Sequence, residues 1–152
     1  MKKFSKMNIQ SIFNKVKKSY PEINSKLVLF DKPSFMLSNS VNHNIYYNSK
    51  QVKQFKFSNK ALRGALAHEL SHQLDYKNYN FFSRLFFKYK YKNLNFRRKV
   101  EREADKITVS RGYGKELIQL LKESKLKYPK QRFEERIKPF HLTISEINSL
   151  MN

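Results

Sequence analysis

The sequence predicts an α+β domain with a small sheet early in the chain and a mostly helical second half. Three observations predict it. The β-prone runs "KLVLF", "SFMLSNS" and "NIYYN" crowd into residues 26–48. From Asn59 to Tyr128 no proline intervenes, and apolar residues recur at helical spacing. The 152 residues, 39% apolar and 14% aromatic, suit one domain (1–152) with a filled core.

Each element follows from local pattern. In "MNIQSIFNKVKKSY", Ile9, Ile12, Phe13 and Val16 have helical spacing, and Pro21 ends the run. The three β-prone runs are separated by polar and Pro-containing turns and predict a small antiparallel sheet. Ser58 is an N-cap for a helix from Asn59 to about Tyr76, with Leu62, Leu66, Leu70 and Leu74 as its buried row. Ala61, Gly64 and Ala65 offer a small-residue face to a neighbouring segment. In "NFFSRLFFKYKYKNLNF", the spacing of Phe82, Leu85, Phe86 and Tyr89 predicts a helix packed on the core with exposed lysines. The alternative for Phe81–Phe87 is a peripheral membrane contact. "RRKVEREADKITVSRGYG" is a further helix closed at Gly112, and "KELIQLLKESKLK" another, ended by Pro129. Thr143 and Glu146 have capping-box spacing for a short last helix.

The chain contains 32 Lys and Arg against 12 Asp and Glu, a formal charge of +20. The lysines are scattered and accompany many Asn, Ile, Phe and Tyr, the pattern of AT-rich coding. Weak, sequence-independent and salt-sensitive binding to polyanions is the expectation, since no nucleic-acid module is recognisable. There is no cysteine, which excludes disulfides and thiolate metal sites. The start, "MKKFSKMNIQSIF", lacks a signal-peptide apolar run, and no stretch approaches a membrane span. A cytoplasmic location is expected.

The chemistry is concentrated in "ALAHELSHQLDY". His68 and His72, four apart on a helix, point both imidazoles at one ion. Glu69, one residue's rotation away, reaches a water on that ion. A zinc so held lowers the pKa of its water towards ~7, and the carboxylate can take the proton. The metzincin pattern is ruled out because "QLDYKNYN" has no downstream histidine. Of the remaining donors, His43, His141 and Glu101, Glu101 is the stronger third ligand. It is paired at four residues with Asp105, which can accept the second ring N–H of a ligand histidine. The plain alternative is that Glu101, Glu103 and Asp105 form a solvated acidic face.

HExxH followed by ExxxD resembles the gluzincin arrangement. "IYYNSKQVKQFKFSNKALRGALAHELSH" with "EREAD" is similar to the soluble core of HtpX-type and CaaX-prenyl-type zinc proteases, and the small size resembles the minigluzincins. The likeness covers about residues 26–114, leaving 115–152 as a helical extension. It implies a zincin-like fold and a zinc endopeptidase acting on peptide or protein substrates. His68, His72 and Glu101 would bind zinc, Glu69 would be the base and Asp105 would support a ligand from behind. Asn44, Ile45, Tyr46 and Tyr47 would be a rim strand pairing with an extended substrate. HtpX-type sequences carry a "HP…RI" segment where this chain has "YPKQRFEERI", so Tyr128 is the favoured oxyanion donor ahead of His141, Tyr113 and Arg136.

The resemblance also implies latency, with the C-terminal segment blocking the cleft; plain packing of the last helix on the core is the competing expectation. Rival functions are an ImmA-like repressor-cleaving protease and a basic, non-enzymatic nucleic-acid-binding protein.

Overall fold

Asn8 opens the first helix, α1 (Ile9–Lys17), by accepting a hydrogen bond from the Gln10 amide. Ile12, Phe13 and Val16 are buried from it, as the spacing predicts. The computed structural model describes residues 8–152; residues 1–7, on which part of the leader argument rests, lie outside the described residues.

Three strands follow: β1 (Leu27–Leu29), β2 (Met36–Ser38) and β3 (Ile45–Tyr47). Their order is β1-β3-β2. β3 runs antiparallel to β2 but parallel to β1, so the sheet is mixed and not antiparallel as expected. The chain leaves β1, crosses to the far edge for β2, and returns through residues 39–44 into the gap. Three short β-prone runs do not specify which one takes the middle position.

Asn48 caps α2 (Ser49–Phe55), a short helix not foreseen from the sequence, which ends at Lys56 in the left-handed region. Ser58 then caps α3 (Asn59–Tyr76), its side chain accepting from the Ala61 amide. Leu62, Leu66 and Leu70 are buried along it and Leu74 is partly so. After it come α4 (Phe81–Leu85), α5 (Phe87–Lys90) and α6 (Leu94–Thr108). The aromatic run does not pack on the core as expected: Phe81, Phe82, Leu85, Phe86 and Tyr89 are exposed, and only Phe87 turns inward. It meets Tyr76, Tyr79, Tyr91 and Phe96.

A π-helical turn, Val109–Tyr113, joins α6 to α7 (Gly114–Lys127). Gly112 sits there at φ 87°, a backbone shape that side chains resist. α8 (Lys130–Arg136) and α9 (Ile144–Met151) complete the chain, α9 carrying the capping box of Thr143 and Glu146. Among the described residues no helix is long and apolar enough to cross a membrane.

α3 is the central element, packed against α1, α6, α7 and β2. The core extends beyond residues 26–114 in both directions: Ile12, Phe13, Val16 and Tyr128 share one cluster with Leu66 and Leu70. Tyr20 donates to the Ala67 carbonyl and meets Ser71, tying the end of the first helical segment to α3. The small face predicted at Gly64 is where α7 crosses: a Cβ there would stand 2.7 Å from the Glu116 carbonyl carbon. Gly64→Ala is expected to destabilise the fold by about 1–3 kcal/mol, as overpacking does, measurable by denaturant unfolding; an unchanged midpoint would refute the close crossing.

Glu123 of α7 reaches back to the start of α3. It accepts from the Ser58 amide and hydroxyl, from Gln119 and from Lys127. Burial opposes its charge, but these donors win and lower its pKa from 4.5 to about 2. A carboxylate depressed on folding stabilises the native state above its unfolded pKa and stops doing so as pH falls through the folded value. Glu123→Gln should therefore be less stable than wild type at neutral pH, with the gap narrowing between about pH 5 and pH 2. A gap independent of pH would count against this role.

Candidate metal centre

The HExxH face of α3 and the ExxxD face of α6 meet. His68, His72 and Glu101 are each about 5–6% exposed, and Asp105 is fully buried. Around a single oxygen, Glu101 Oε2, stand three imidazole nitrogens: His68 Nε2 at 2.9 Å, His72 Nε2 at 3.4 Å and His141 Nε2 at 3.7 Å. Donor atoms on a tetrahedral ion with zinc-like bond lengths are about 3.3 Å apart. His68, Glu101 and His141 are the set whose donor atoms all lie within 4.8 Å of one another, so these side chains could hold a metal ion; His72 approaches Glu101 but is not in that set. The donor chemistry fits a cation, since all these atoms carry lone pairs once the histidines are neutral.

Asp105 sets the orientation. Its Oδ1 lies 2.8 Å from His68 Nδ1, and its Oδ2 lies 3.2 Å from His141 Nδ1 while accepting from the Leu142 amide at 2.8 Å. With Nδ1 of both rings engaged, both Nε2 atoms face Glu101. Tyr91 donates its phenol to Glu101 Oε1, fixing the other carboxylate oxygen. His72 Nδ1 is buried without a partner, and the approach of Asp105 to His68 Nδ1 is an ion-pair contact and not a well-aligned hydrogen bond.

The electrostatics separate the carboxylates. Burial works against ionising Glu101, but His72, His68 and His141 outweigh it and hold its pKa well below the usual range. Asp105 is depressed likewise, by His141 and His68. Burial also opposes charge on His68, yet Asp105 and Glu101 keep its pKa well above the ordinary value. Glu69 goes the other way: burial pushes its carboxyl up, only partly countered by His72 and His68. Burial and the charge of Glu101 push the Tyr91 phenol far up, so it stays a proton donor.

The centre forms part of the wall of a cleft of about 970 Å³. One wall is the segment Pro33–Ser40, including β2; the opposite walls come from α7 and α8. Ser38 Oγ donates to the Glu69 carbonyl at 3.0 Å, tying β2 to α3. Two sequence expectations need correction here. Asn44, Ile45, Tyr46 and Tyr47 are not the rim: β3 is paired on both sides, and β2 is the edge strand along the cleft. Tyr128 lines the same cleft, but its ring packs edge-on against Phe55 and Phe57 beneath the Arg132 guanidinium and it is not among the side chains paired with Glu101 or Asp105. Burial raises its pKa to about 12. Tyr113 is bonded to Ser19 and stacked on Tyr20, and His43 lies between Gln73 and Arg84. Of the oxyanion donors weighed from the sequence, His141 is the one that pairs with Glu101 and Asp105, and Arg136 lines the cleft.

Tyr91 was missed. Its "KYKYK" setting carries no local signal, and its position follows from how α5 folds back onto α6. His141 was weighed but ranked below Glu101; nothing in its immediate sequence shows that Asp105 would receive it.

No protein-family model, curated protein or solved structure matches this chain.

Purified protein is expected to carry about one metal ion per chain. Metal analysis of His72→Ala and Glu101→Ala should show strongly reduced content. Full occupancy in both variants would eliminate this centre.

Proposed function

We propose that the protein is a zinc-dependent endopeptidase of gluzincin type, with a zincin-like arrangement of its helices around the cleft. The observation that carries this reading is the approach of His68 and His72 to the same Glu101 oxygen, with Glu69 partly buried at the adjoining cleft wall. A lone HExxH is a weak motif. Its meeting with ExxxD across two helices is a stronger one.

The division of labour follows from the residues. A zinc ion, when bound, supplies Lewis acidity and a nucleophilic water at neutral pH. Asp105 holds His68 by Nδ1, so that Nε2 is the free donor. Glu101 is kept ionised by its histidine neighbours and held in place by Tyr91. Glu69, whose pKa is raised, is suited to take a proton from water and return it to the leaving amine. β2 presents its unpaired edge to an extended peptide, the role first expected of residues 44–47. A cleft of this volume, with β2 along one wall, accords with a peptide or protein substrate. Glu69→Gln should retain metal and fold while losing about 10²–10⁴-fold in peptidase activity. Wild-type cleavage of a casein-like substrate by this variant would refute the proposed mechanism.

A second reading has its own observation. His141 reaches the centre as a further donor, and a fourth protein ligand closes a site, as in structural zinc centres or in a latent form of the enzyme. α9 itself is not in the cleft: its apolar face packs on α7 and the π-turn through Ile147. Latency would therefore act through His141 and not through the terminal helix. His141→Ala distinguishes the roles: activity rises if His141 closes the site and falls if it stabilises the developing oxyanion.

A further inference from the structure

Five large apolar side chains stand out from α4, α5 and the residue between them: Phe81, Phe82, Leu85, Phe86 and Tyr89 are 44–71% exposed. Scattered apolar residues are ordinary on a surface, but a contiguous group on one segment marks a contact site. The segment is not loose. Phe87 anchors it inward on Tyr76, and the Arg84 carbonyl accepts from Ser40 Oγ at 2.9 Å. Its outer face is thus held out by its own inner contacts.

The charge around this face is of one sign. Between Asp75 and Glu101 the chain has eight Lys and Arg and no Asp or Glu. Lys88 and Lys92 flank the exposed Tyr89 ring, at 5.1 and 5.7 Å from its centre. Aromatic rings ringed by flexible cations match an interface in which rings enter the headgroup boundary while ammonium groups stay at the phosphates. The apolar side chains come from two short helices, α4 ending at Leu85 and α5 beginning at Phe87, and not from one stripe. A fluid interface accepts such an arrangement without a matching groove.

We propose that α4 and α5 form a docking face for anionic phospholipid bilayers, with Phe82, Phe86 and Tyr89 entering the interface and Lys88 and Lys92 pairing with headgroups. Phe87, Lys88 and Tyr91 also line the cleft, so a docked chain holds its cleft opening beside the bilayer. This inference requires no metal chemistry, and binding reads it separately from peptidase activity.

The test is sedimentation of the full chain with phosphatidylcholine vesicles, with and without phosphatidylserine, at low and physiological salt. Binding should be at least about ten-fold tighter with phosphatidylserine. Phe82→Ser/Phe86→Ser should weaken it about ten-fold at physiological salt, where charge alone is screened. Lys88→Glu/Lys92→Glu should weaken it too, while the same reversal at the exposed Lys125 and Lys130 should have little effect. Because the chain has no cysteine, Phe82→Cys carrying an environment-sensitive dye should report transfer to an apolar medium on binding. Equal binding by the double Phe variant, or equal loss from the Lys125/Lys130 control, would reduce the effect to net charge and overturn the proposal. Self-association abolished by the Phe substitutions, without vesicle binding, would overturn it in favour of contact between two copies.

Discussion

One buried carboxylate, Asp105, organises the centre. Removing a carboxylate from water costs several kcal/mol unless donors replace the solvent. Here His68, His141 and the Leu142 amide replace it, and the group stays ionised. These partners come from α3 and from the turn before α9, while Asp105 belongs to α6. A single charge thereby joins three parts of the chain and orients two imidazoles at once. Thr108, one turn further along α6, adds a neutral tie through Ser71 of α3.

The same helix face separates two carboxylate roles by depth and neighbours. Glu69 follows His68 directly, so helical rotation carries its side chain away from Glu101 and towards the cleft. It gains burial without a strong donor, and its proton is held more tightly. Glu101 is deeper but is surrounded by imidazoles and Tyr91, and it stays charged. Divergent environments for nearby carboxyls are a means of assigning acid, base and ligand roles.

The C-terminal segment takes part in the site because of packing. Leu142 and Ile147 are buried with Val109, Leu117 and Leu121, which fixes the turn between α8 and α9 against α7 and the π-turn. Arg102 reinforces it by pairing with Glu146 of α9 at 2.5 Å. His141 lies inside this turn, where its ring meets Asp105 and Glu101.

Local pattern was enough to read α1, α3, α6, α7 and α9, because caps, breakers and apolar spacing act within a few residues. The i,i+4 pairs His68/His72 and Glu101/Asp105 were legible for the same reason: a helix places such pairs on one face wherever it lies. The small face at Gly64 announced a close neighbour, though not that the neighbour would be α7. Strand order was not legible. β3 takes the central place, and β2 the cleft edge, because pairing across the sheet depends on chain crossings that short runs do not encode. The aromatic run has helical spacing, but it folds as two short helices broken at Phe86, and it is Phe87 that turns inward against Tyr76 and Phe96 while its neighbours stay exposed. Tyr91 and His141 reach Glu101 and Asp105 across ten and 36 residues of sequence. Helical periodicity determined which side chains of one helix act together. Long-range burial of charge, which rewards any donor that reaches it, decided which side chains of distant segments joined them.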